Sequence, residues 1–195
     1  MADAGRVIAG SARGVRLAAP GPGTRPLTDR VKQTLFGILE PRLDGARVLD
    51  LFAGSGAGAI EALSRGAAAA VLVERDAGAV RAIHANLAKA GVEANARVVR
   101  REVVAWLADA AAEATGPFDV VLADPPYEDA EVLSRALDLV GPLVADDGIV
   151  VAKHFWRDGP ASRIGMLTTE RQRRFGETAL TFYRRVDAQQ EAGLA

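Results

Sequence analysis

The chain contains no cysteine and only two histidines, His84 and His154. Without cysteine there is no disulfide framework, no thiolate metal site and no cysteine nucleophile. Two histidines leave little material for a histidine-based metal centre, so we expect no metal. No stretch approaches the roughly 18–20 apolar residues that span a bilayer, and the first residues lack an apolar segment of signal-peptide length. The expectation is therefore a cytoplasmic protein without a membrane segment.

What the sequence does contain is the composition of an ordinary folded domain. Its 195 residues are 49% hydrophobic and 25% charged, which is typical of a globular chain with a core of its own and not of a disordered one. The formal net charge is -1, from 24 basic and 25 acidic residues. Taken alone, this sum argues against a polyanionic partner.

Short β-branched runs alternate with segments of helical periodicity, which predicts an α/β fold with a mostly parallel sheet. Asp76 is expected to cap one helix and Gly91 to end it. Ahead of the sheet, Arg6–Leu17 predicts a hairpin, and a helix over 30–39 begins after Thr28 or Asp29. The predicted parallel strands are 47–51, 70–74, 96–100, 118–123 and 148–152. Two more, 164–170 and 178–186, are joined by the polar stretch 171–177 and would form an antiparallel edge.

The first chemical signal is the glycine-rich turn that follows the first of these parallel strands, Asp50-Leu-Phe-Ala-Gly54-Ser-Gly56-Ala-Gly58. Glycines at this place let a ligand approach the backbone closely at a helix N-terminus. Glu74 ends the next strand, where a carboxylate can accept both hydroxyls of a ribose. NAD would use the same fold, but Asp50 would repel a pyrophosphate and can face a cationic amino-acid group. S-adenosylmethionine is therefore favoured.

The second signal is Asp124-Pro125-Pro126-Tyr127, at the carboxyl end of the fourth parallel strand. The prolines stiffen the turn and donate no hydrogen bonds, so the Asp124 carboxylate and the Pro125 carbonyl are two acceptors on a rigid frame. Two neighbouring acceptors match one planar –NH2 group, and Tyr127 offers a face for stacking the ring that carries it. The motif indicates catalysis on an exocyclic amine.

These motifs resemble those of the bacterial 16S rRNA guanine-N2 methyltransferase family. The similarity covers about Arg6 to Val186, and the blocks occur in the same order. Besides the glycine turn and Asp124–Tyr127, they are Arg6-Val-Ile-Ala-Gly-Ser-Ala-Arg-Gly14, Arg25-Pro-Leu-Thr-Asp-Arg-Val-Lys-Gln-Thr-Leu-Phe36 and Glu61-Ala-Leu-Ser-Arg-Gly66. The resemblance implies a Rossmann-like methyltransferase fold with a mostly parallel seven-stranded sheet. It also implies an N-terminal RNA-binding extension over 1–43, a catalytic domain over 44–186 and a tail over 187–195.

The resemblance further implies methyl transfer from S-adenosylmethionine to the N2 amine of one guanine in small-subunit rRNA, within a partly assembled particle, by a monomer. Asp124, Pro125, Pro126 and Tyr127 would be catalytic. The family usually has Asn or Asp followed by a small residue after the third strand, where this chain has Arg101-Glu102-Val103. The expected cofactor contacts are Asp50, Phe52, Ala53, Gly54, Ser55, Gly56, Glu74, Arg75, Glu102 and Val103.

The net charge of -1 hides an uneven distribution along the chain. Residues 1–43 carry a net +4 and residues 153–186 a net +5, whereas residues 44–152 carry -8 and the tail -2. Both basic segments are therefore expected to contact RNA phosphates. The candidate RNA-binding residues in the first segment are Arg6, Arg13, Arg16, Arg25 and Arg30.

Some alternatives remain open at this level. An adenine-N6 methyltransferase acting on RNA or DNA would use the same Asp124–Tyr127 motif. A catalytically silent RNA-binding module or a nicotinamide oxidoreductase would not need that motif. His154 either faces the base pocket or packs within the strand. Phe155 and Trp156 either belong to the core or contact RNA.

Overall fold

The computed structural model describes residues 3–21, 28–112 and 115–186. The chain divides into two structural units, Met1–Val103 and Val104–Ala195. Arg25 and the tail over 187–195 lie outside the described residues. Among the residues that are described, no helix is long and apolar enough to cross a membrane.

The first unit opens with the predicted hairpin and helix. Strands β1 (Asp3–Arg6) and β2 (Arg16–Ala18) pair antiparallel. Helix α1 (Asp29–Leu39) begins after Thr28, whose hydroxyl accepts a hydrogen bond from the Val31 backbone N–H. A side-chain oxygen at this position satisfies one of the helix's unpaired donors, so Thr28 and not Asp29 is the cap.

The rest of the first unit is a three-stranded parallel sheet with helices. Its strands are β3 (Arg47–Leu51), β4 (Ala69–Glu74) and β5 (Ala96–Arg100), in the order β5-β4-β3. Helices α2 (Ala57–Ser64) and α3 (Ala77–Ala90) follow β3 and β4. Asp76 caps α3 by accepting from the Ala79 N–H at 2.7 Å, and Gly91 ends it with a φ of +68°. Because the strands are parallel, their carboxyl ends meet at one edge.

The second unit contains a parallel pair of strands and an antiparallel extension. Strand β6 pairs parallel with β7, and β7, β10, β9 and β8 then pair antiparallel in that order. Helix α4 begins one residue before the unit boundary. The elements are α4 (Val103–Ala112), β6 (Phe118–Ala123), α5 (Ala130–Val140), β7 (Val144–Phe155), β8 (Arg163–Ile164), β9 (Leu167–Phe175) and β10 (Thr178–Arg185).

The antiparallel part differs from the sequence prediction in two respects. The polar stretch 171–177 is not a connection, because β9 runs on to Phe175 and turns at Gly176, which has a φ of +61°. Residues 170–174 are all exposed, so the strand shows no hydrophobic alternation by which a pattern could reveal it. The short β8 adds a further antiparallel strand, so the antiparallel part has three strands where the sequence predicts two.

Candidate active site

The glycine turn after β3 has an unusual backbone. Phe52 has a φ of +63° and is, within the described part of the chain, the one non-glycine residue with a positive φ. Gly54 and Gly56 follow with φ values of +57° and +76°. A bulky aromatic residue in the left-handed region is strained, and such strain is concentrated at ligand-binding turns.

The two glycines of this turn serve different purposes. A Cβ at Gly56 would lie 3.3 Å from Leu72 and 3.4 Å from Ile83, so Gly56 lets the start of α2 pack closely against the unit's interior. A Cβ at Gly54 would meet nothing nearer than the Phe52 carbonyl oxygen at 3.9 Å. Its side is open, which is the arrangement that a ligand lying against the backbone requires.

The Glu74 carboxylate is held in place by two backbone donors. Oε2 accepts from the Gly54 N–H and Oε1 from the Asp76 N–H, both at 2.9 Å. The carboxylate therefore ties the glycine turn to the end of β4. Each carboxylate oxygen has a second lone pair, so Glu74 retains acceptor capacity for ribose hydroxyls.

Asp50 is more enclosed than the sequence suggests. The residue is only 4% exposed, and its Oδ2 accepts a hydrogen bond from the Ala59 N–H in the first turn of α2 at 2.9 Å. This bond joins β3 to the helix across the glycine turn. The turn is also held by Asn86, whose side-chain amide donates to the Ser55 carbonyl at 2.9 Å. Sequence reasoning missed Asn86, because its partner lies 31 residues away.

The remaining expected cofactor contacts lie at the same edge of the first unit. Ala53 donates its N–H to the Val73 carbonyl at 3.1 Å, beside the end of β4, and Arg75 is exposed immediately after that strand. The Arg101 N–H donates to the Glu74 carbonyl at 3.0 Å. Glu102 is exposed, whereas Val103 is 3% exposed and starts α4. Their contacts with a cofactor stay predictions.

In the second unit, the register of the strands places a lysine beside Asp124. Ala123 at the end of β6 lies opposite Ala152 of β7, so the next residues along each strand, Asp124 and Lys153, are neighbours. Their side chains form an ion pair, with 32% of the aspartate and 12% of the lysine side chain exposed. Burial raises the pKa of Asp124 above its ordinary value, and the Lys153 ammonium opposes that rise.

Tyr127 is fixed by three neighbours from the second unit. Its hydroxyl hydrogen-bonds the Thr178 hydroxyl at 2.6 Å. The Lys153 Nζ lies 5.3 Å from its ring centroid, and the Phe155 centroid lies 6.3 Å away at a tilt of 57°. The ring is therefore held on the frame formed by β7 and β10. Lys153 and Thr178 were not identified as site residues from the sequence, because strand register alone brings them to the motif.

The structure defines the surroundings of two residues of β7. Lys153, which lies in the basic segment 153–186, pairs with Asp124, and its contact with phosphates stays a prediction. His154 is 4% exposed, and its ring nitrogens contact the Phe155 carbonyl at 2.8 Å and the Thr181 hydroxyl at 2.9 Å. His154 is therefore a hydrogen-bonded interior residue of the strands.

The described arginines of the first basic segment are on the surface, two of them in ion pairs. Arg6 pairs with Asp29 at 3.1 Å and Arg16 with Asp3 at 2.9 Å, with 58% and 75% of the arginine side chains exposed. Arg13 and Arg30 are also exposed. Exposed pairs of this kind are weak, so the guanidinium groups stay accessible to phosphates. RNA binding by these residues stays a prediction.

A comparison with protein families identifies the chain. The family model described as conserved hypothetical protein 95 matches residues 5–184. The chain belongs to this family. Within it, ribosomal RNA small subunit methyltransferase D of Escherichia coli (strain K12) is 37% identical over 192 residues, which are 96% of this chain and 92% of that relative.

Solved structures agree with the expected fold. A hypothetical protein of Thermus thermophilus is 36% identical with a TM-score of 0.76, covering 91% of this chain and 97% of that one. A ribosomal protein L11 methylase from Lactobacillus delbrueckii is only 18% identical but has a TM-score of 0.65, covering 85% and 83%. The Rossmann-like methyltransferase fold expected from the motifs is confirmed, and so is the family.

Proposed function

We propose that this protein transfers a methyl group from S-adenosylmethionine to the exocyclic N2 amine of a guanine in 16S rRNA of the small ribosomal subunit. The observation that carries the proposal is the Asp124–Lys153 pair, which places a carboxylate beside a lysine at the start of an amine-directed motif in a chain of this family. The names of relatives such as the Escherichia coli protein support rRNA as the substrate. We further propose that the enzyme acts as a monomer on a partly assembled subunit.

The first unit supplies the residues that would hold the cofactor. The open side of Gly54 suits a ligand lying along the backbone, and the Glu74 carboxylate has lone pairs for two ribose hydroxyls. Asp50 adds a negative charge under the turn, which favours a cation over a pyrophosphate. When bound, S-adenosylmethionine supplies a methyl group on a positively charged sulfur, so the protein need not activate a leaving group.

The chemical difficulty lies in the nucleophile, because the lone pair of a guanine amine is delocalised into the ring. Hydrogen bonds from the two amine protons to Asp124 and to the Pro125 carbonyl would favour a pyramidal nitrogen with its lone pair aimed at the methyl. Oδ1 of Asp124 is paired with Lys153, which leaves Oδ2 for the amine. As positive charge develops on the nitrogen, the fixed carboxylate stabilises it. The sulfur leaves as a neutral thioether, and the proton that the methylated amine loses passes to Asp124 or to water.

Tyr127 completes the binding of the base. Its ring is held by Thr178 and Phe155, so stacking a base on it would cost little side-chain freedom on binding. The target base must leave any stack to reach such a motif, which costs a few kcal/mol and less from a loop. Alignment of the amine with the methyl group supplies much of the remaining rate enhancement.

Nucleoside mass spectrometry of 16S rRNA tests the proposal. We expect a deletion strain to lose one N2-methylguanosine, the wild-type gene to restore it, and Asp124→Ala not to restore it. Calorimetry on the purified variant is expected to show an S-adenosylmethionine affinity within a few-fold of wild type, because Asp124 belongs to the base-binding motif.

The matched variant is Asp124→Asn, which keeps the shape and one acceptor oxygen but loses the charge. It should retain more activity than Asp124→Ala and less than wild type. Loss of N6-methyladenosine in the deletion strain would instead assign the adenine reaction. Full turnover by Asp124→Ala would show that the motif does not hold the reacting amine.

A further inference from the structure

A second group of interacting side chains lies in the same unit as Asp124–Tyr127 and has no role in the reaction as proposed. It consists of Trp156, Arg157 and Arg174, and we call it the Trp156 clamp. Arg174 Cζ lies 3.5 Å from the centroid of the Trp156 ring, and Arg157 Cζ lies 4.6 Å from it. Both arginines are exposed, and the tryptophan is half-buried. One indole ring therefore holds two guanidinium groups at the surface.

The backbone around the clamp is fixed by hydrogen bonds. The backbone N–H of Trp156 donates to the Glu177 carbonyl at 3.0 Å, and the side-chain Nε of Arg174 donates to the Gly176 carbonyl at 2.8 Å. Across the residues that the structure describes, neither guanidinium has a carboxylate within 4.0 Å. The clamp thus presents two oriented positive charges whose remaining N–H donors point to no acidic side chain of the protein.

The clamp connects to the catalytic motif through aromatic rings. The Phe155 centroid lies 6.4 Å from that of Trp156 and 6.3 Å from that of Tyr127, with tilts of 49° and 57°. Strand register explains this continuity, because Phe155 lies opposite Thr178, the partner of the Tyr127 hydroxyl. A nucleic-acid strand whose base stacks on Tyr127 would pass its neighbouring phosphates along this line.

We infer that the Trp156 clamp binds the phosphodiester backbone of the RNA strand beside the target nucleotide. Two properties point to a phosphate and not to a further base. Arginine matches phosphate oxygens with several N–H donors at once, and stacking on an aromatic ring orients the guanidinium without using those donors. The Trp156 ring is already occupied by the guanidinium groups, so its part is to position them. This inference rests on the proposed function, since it takes RNA to be the substrate.

The test is co-sedimentation of the protein with small ribosomal subunits from the deletion strain, at several KCl concentrations. We expect Arg157→Ala with Arg174→Ala to weaken binding about tenfold for each arginine removed, the effect of one lost charge-assisted hydrogen bond. The slope of log affinity against log salt should fall by about 0.7 for each lost phosphate contact, the value for single strands. S-adenosylmethionine affinity, measured by calorimetry, should stay within a few-fold of wild type.

The matched control is Arg97→Ala, which removes one exposed arginine from strand β5 of the first unit. It should keep the wild-type salt slope. Trp156→Ala should lower the slope of log affinity against log salt as the double variant does, because the guanidinium groups lose the ring that orients them. Trp156→Phe keeps an aromatic ring and should retain most of the wild-type slope. A Trp156 variant that does not fold is recognised by the loss of its cooperative thermal transition. In that case the salt slopes of the arginine variants alone test the inference.

The outcomes separate the clamp from the proposed function. If the wild-type protein methylates the subunits and the double arginine variant binds with an unchanged slope, the clamp does not contact phosphate. If the double variant loses methylation with unchanged binding, the clamp acts on catalysis and the inference is equally wrong. If the wild-type protein neither binds nor methylates the subunits, the proposed function itself fails.

Discussion

Replacing Gly10 by alanine should detach the N-terminal hairpin from helix α2. Gly10 has a φ of +81°, and a Cβ there would lie 1.7 Å from the Ser64 carbonyl oxygen. The turn would have to move by roughly 1 Å or more to bring this contact to an ordinary separation of about 3.5 Å or beyond, even if Ser64 gives way as well. Such a shift breaks the bonds from the Ser11 N–H to the Ser64 carbonyl, from the Ala12 N–H to Ser64 Oγ, and from that hydroxyl to Ala9.

The expected cost follows from those bonds. Three intramolecular hydrogen bonds at about 0.5–1.5 kcal/mol each amount to roughly 1.5–4.5 kcal/mol. Alanine in the left-handed region adds about 1–2 kcal/mol. In a chain of this size each kcal/mol lowers Tm by about 2–4 °C. Hydrogen exchange is the more selective assay, because the amides of Ile8, Ala9, Ser11 and Ala12 should lose protection before those of the parallel strands do.

Gly14 supplies the control for this experiment. It lies in the same turn with a φ of +86°, but a Cβ there would meet nothing within 4 Å. Gly14→Ala therefore carries the backbone strain without the overlap and should leave the four amides protected. If the two variants lower Tm equally and neither exposes those amides, the turn does not depend on its contact with Ser64.

Two further predictions concern the site. Lys153→Met should move the acidic limb of the kcat–pH profile to higher pH: activity falls as pH drops through the pKa of Asp124, which burial raises and Lys153 lowers. Lys153→Arg should keep the wild-type limb, and an unchanged limb in Lys153→Met would show that the pair does not control ionisation. Glu74→Gln should weaken S-adenosylmethionine binding at least about tenfold in calorimetry, because the amide –NH2 must face the Gly54 or Asp76 N–H. Wild-type affinity there would exclude Glu74 from the cofactor site.

The parts of the fold that sequence predicts well are those set by local chemistry. The Asp76 cap, the Gly91 helix end and the buried strand 47–51 follow from the preferences of a few adjacent residues, and the structure has all three. The continuation of β9 past residue 170 escapes this reasoning, because its stability comes from pairing with β10 and not from a hydrophobic pattern in its exposed charged residues. Its neighbour β10 is recognisable from its apolar residues, although residues 179–183 are all buried and do not alternate between a buried and an exposed face.

The contacts that hold the hairpin lie beyond sequence reasoning for a different reason. Glu61 stands in one of the sequence blocks that carry the family resemblance, but the sequence alone assigns it no role. In the structure it is fully buried and accepts from the Ile8 and Ala9 N–H groups at 2.7 and 3.1 Å, while Arg65 Nε donates to it at 2.8 Å. A buried carboxylate needs such donors, but which donors cannot be read from positions more than fifty residues apart.

The pairing of Asp124 with Lys153 follows from conflicting demands on one carboxylate. A charged acceptor stabilises the positive nitrogen of a transferring amine better than a neutral one, whereas burial favours the protonated form. Asparagine at this position could not be protonated by burial, but it would also lack the negative charge that stabilises the nitrogen. The neighbouring lysine favours the ionised aspartate and pairs with Oδ1, at the expense of part of the field that the carboxylate directs at the amine. The Asp-Pro-Pro-Tyr motif therefore specifies the geometry of this site. Lys153, which follows Ala152 on the adjacent strand β7, specifies its charge.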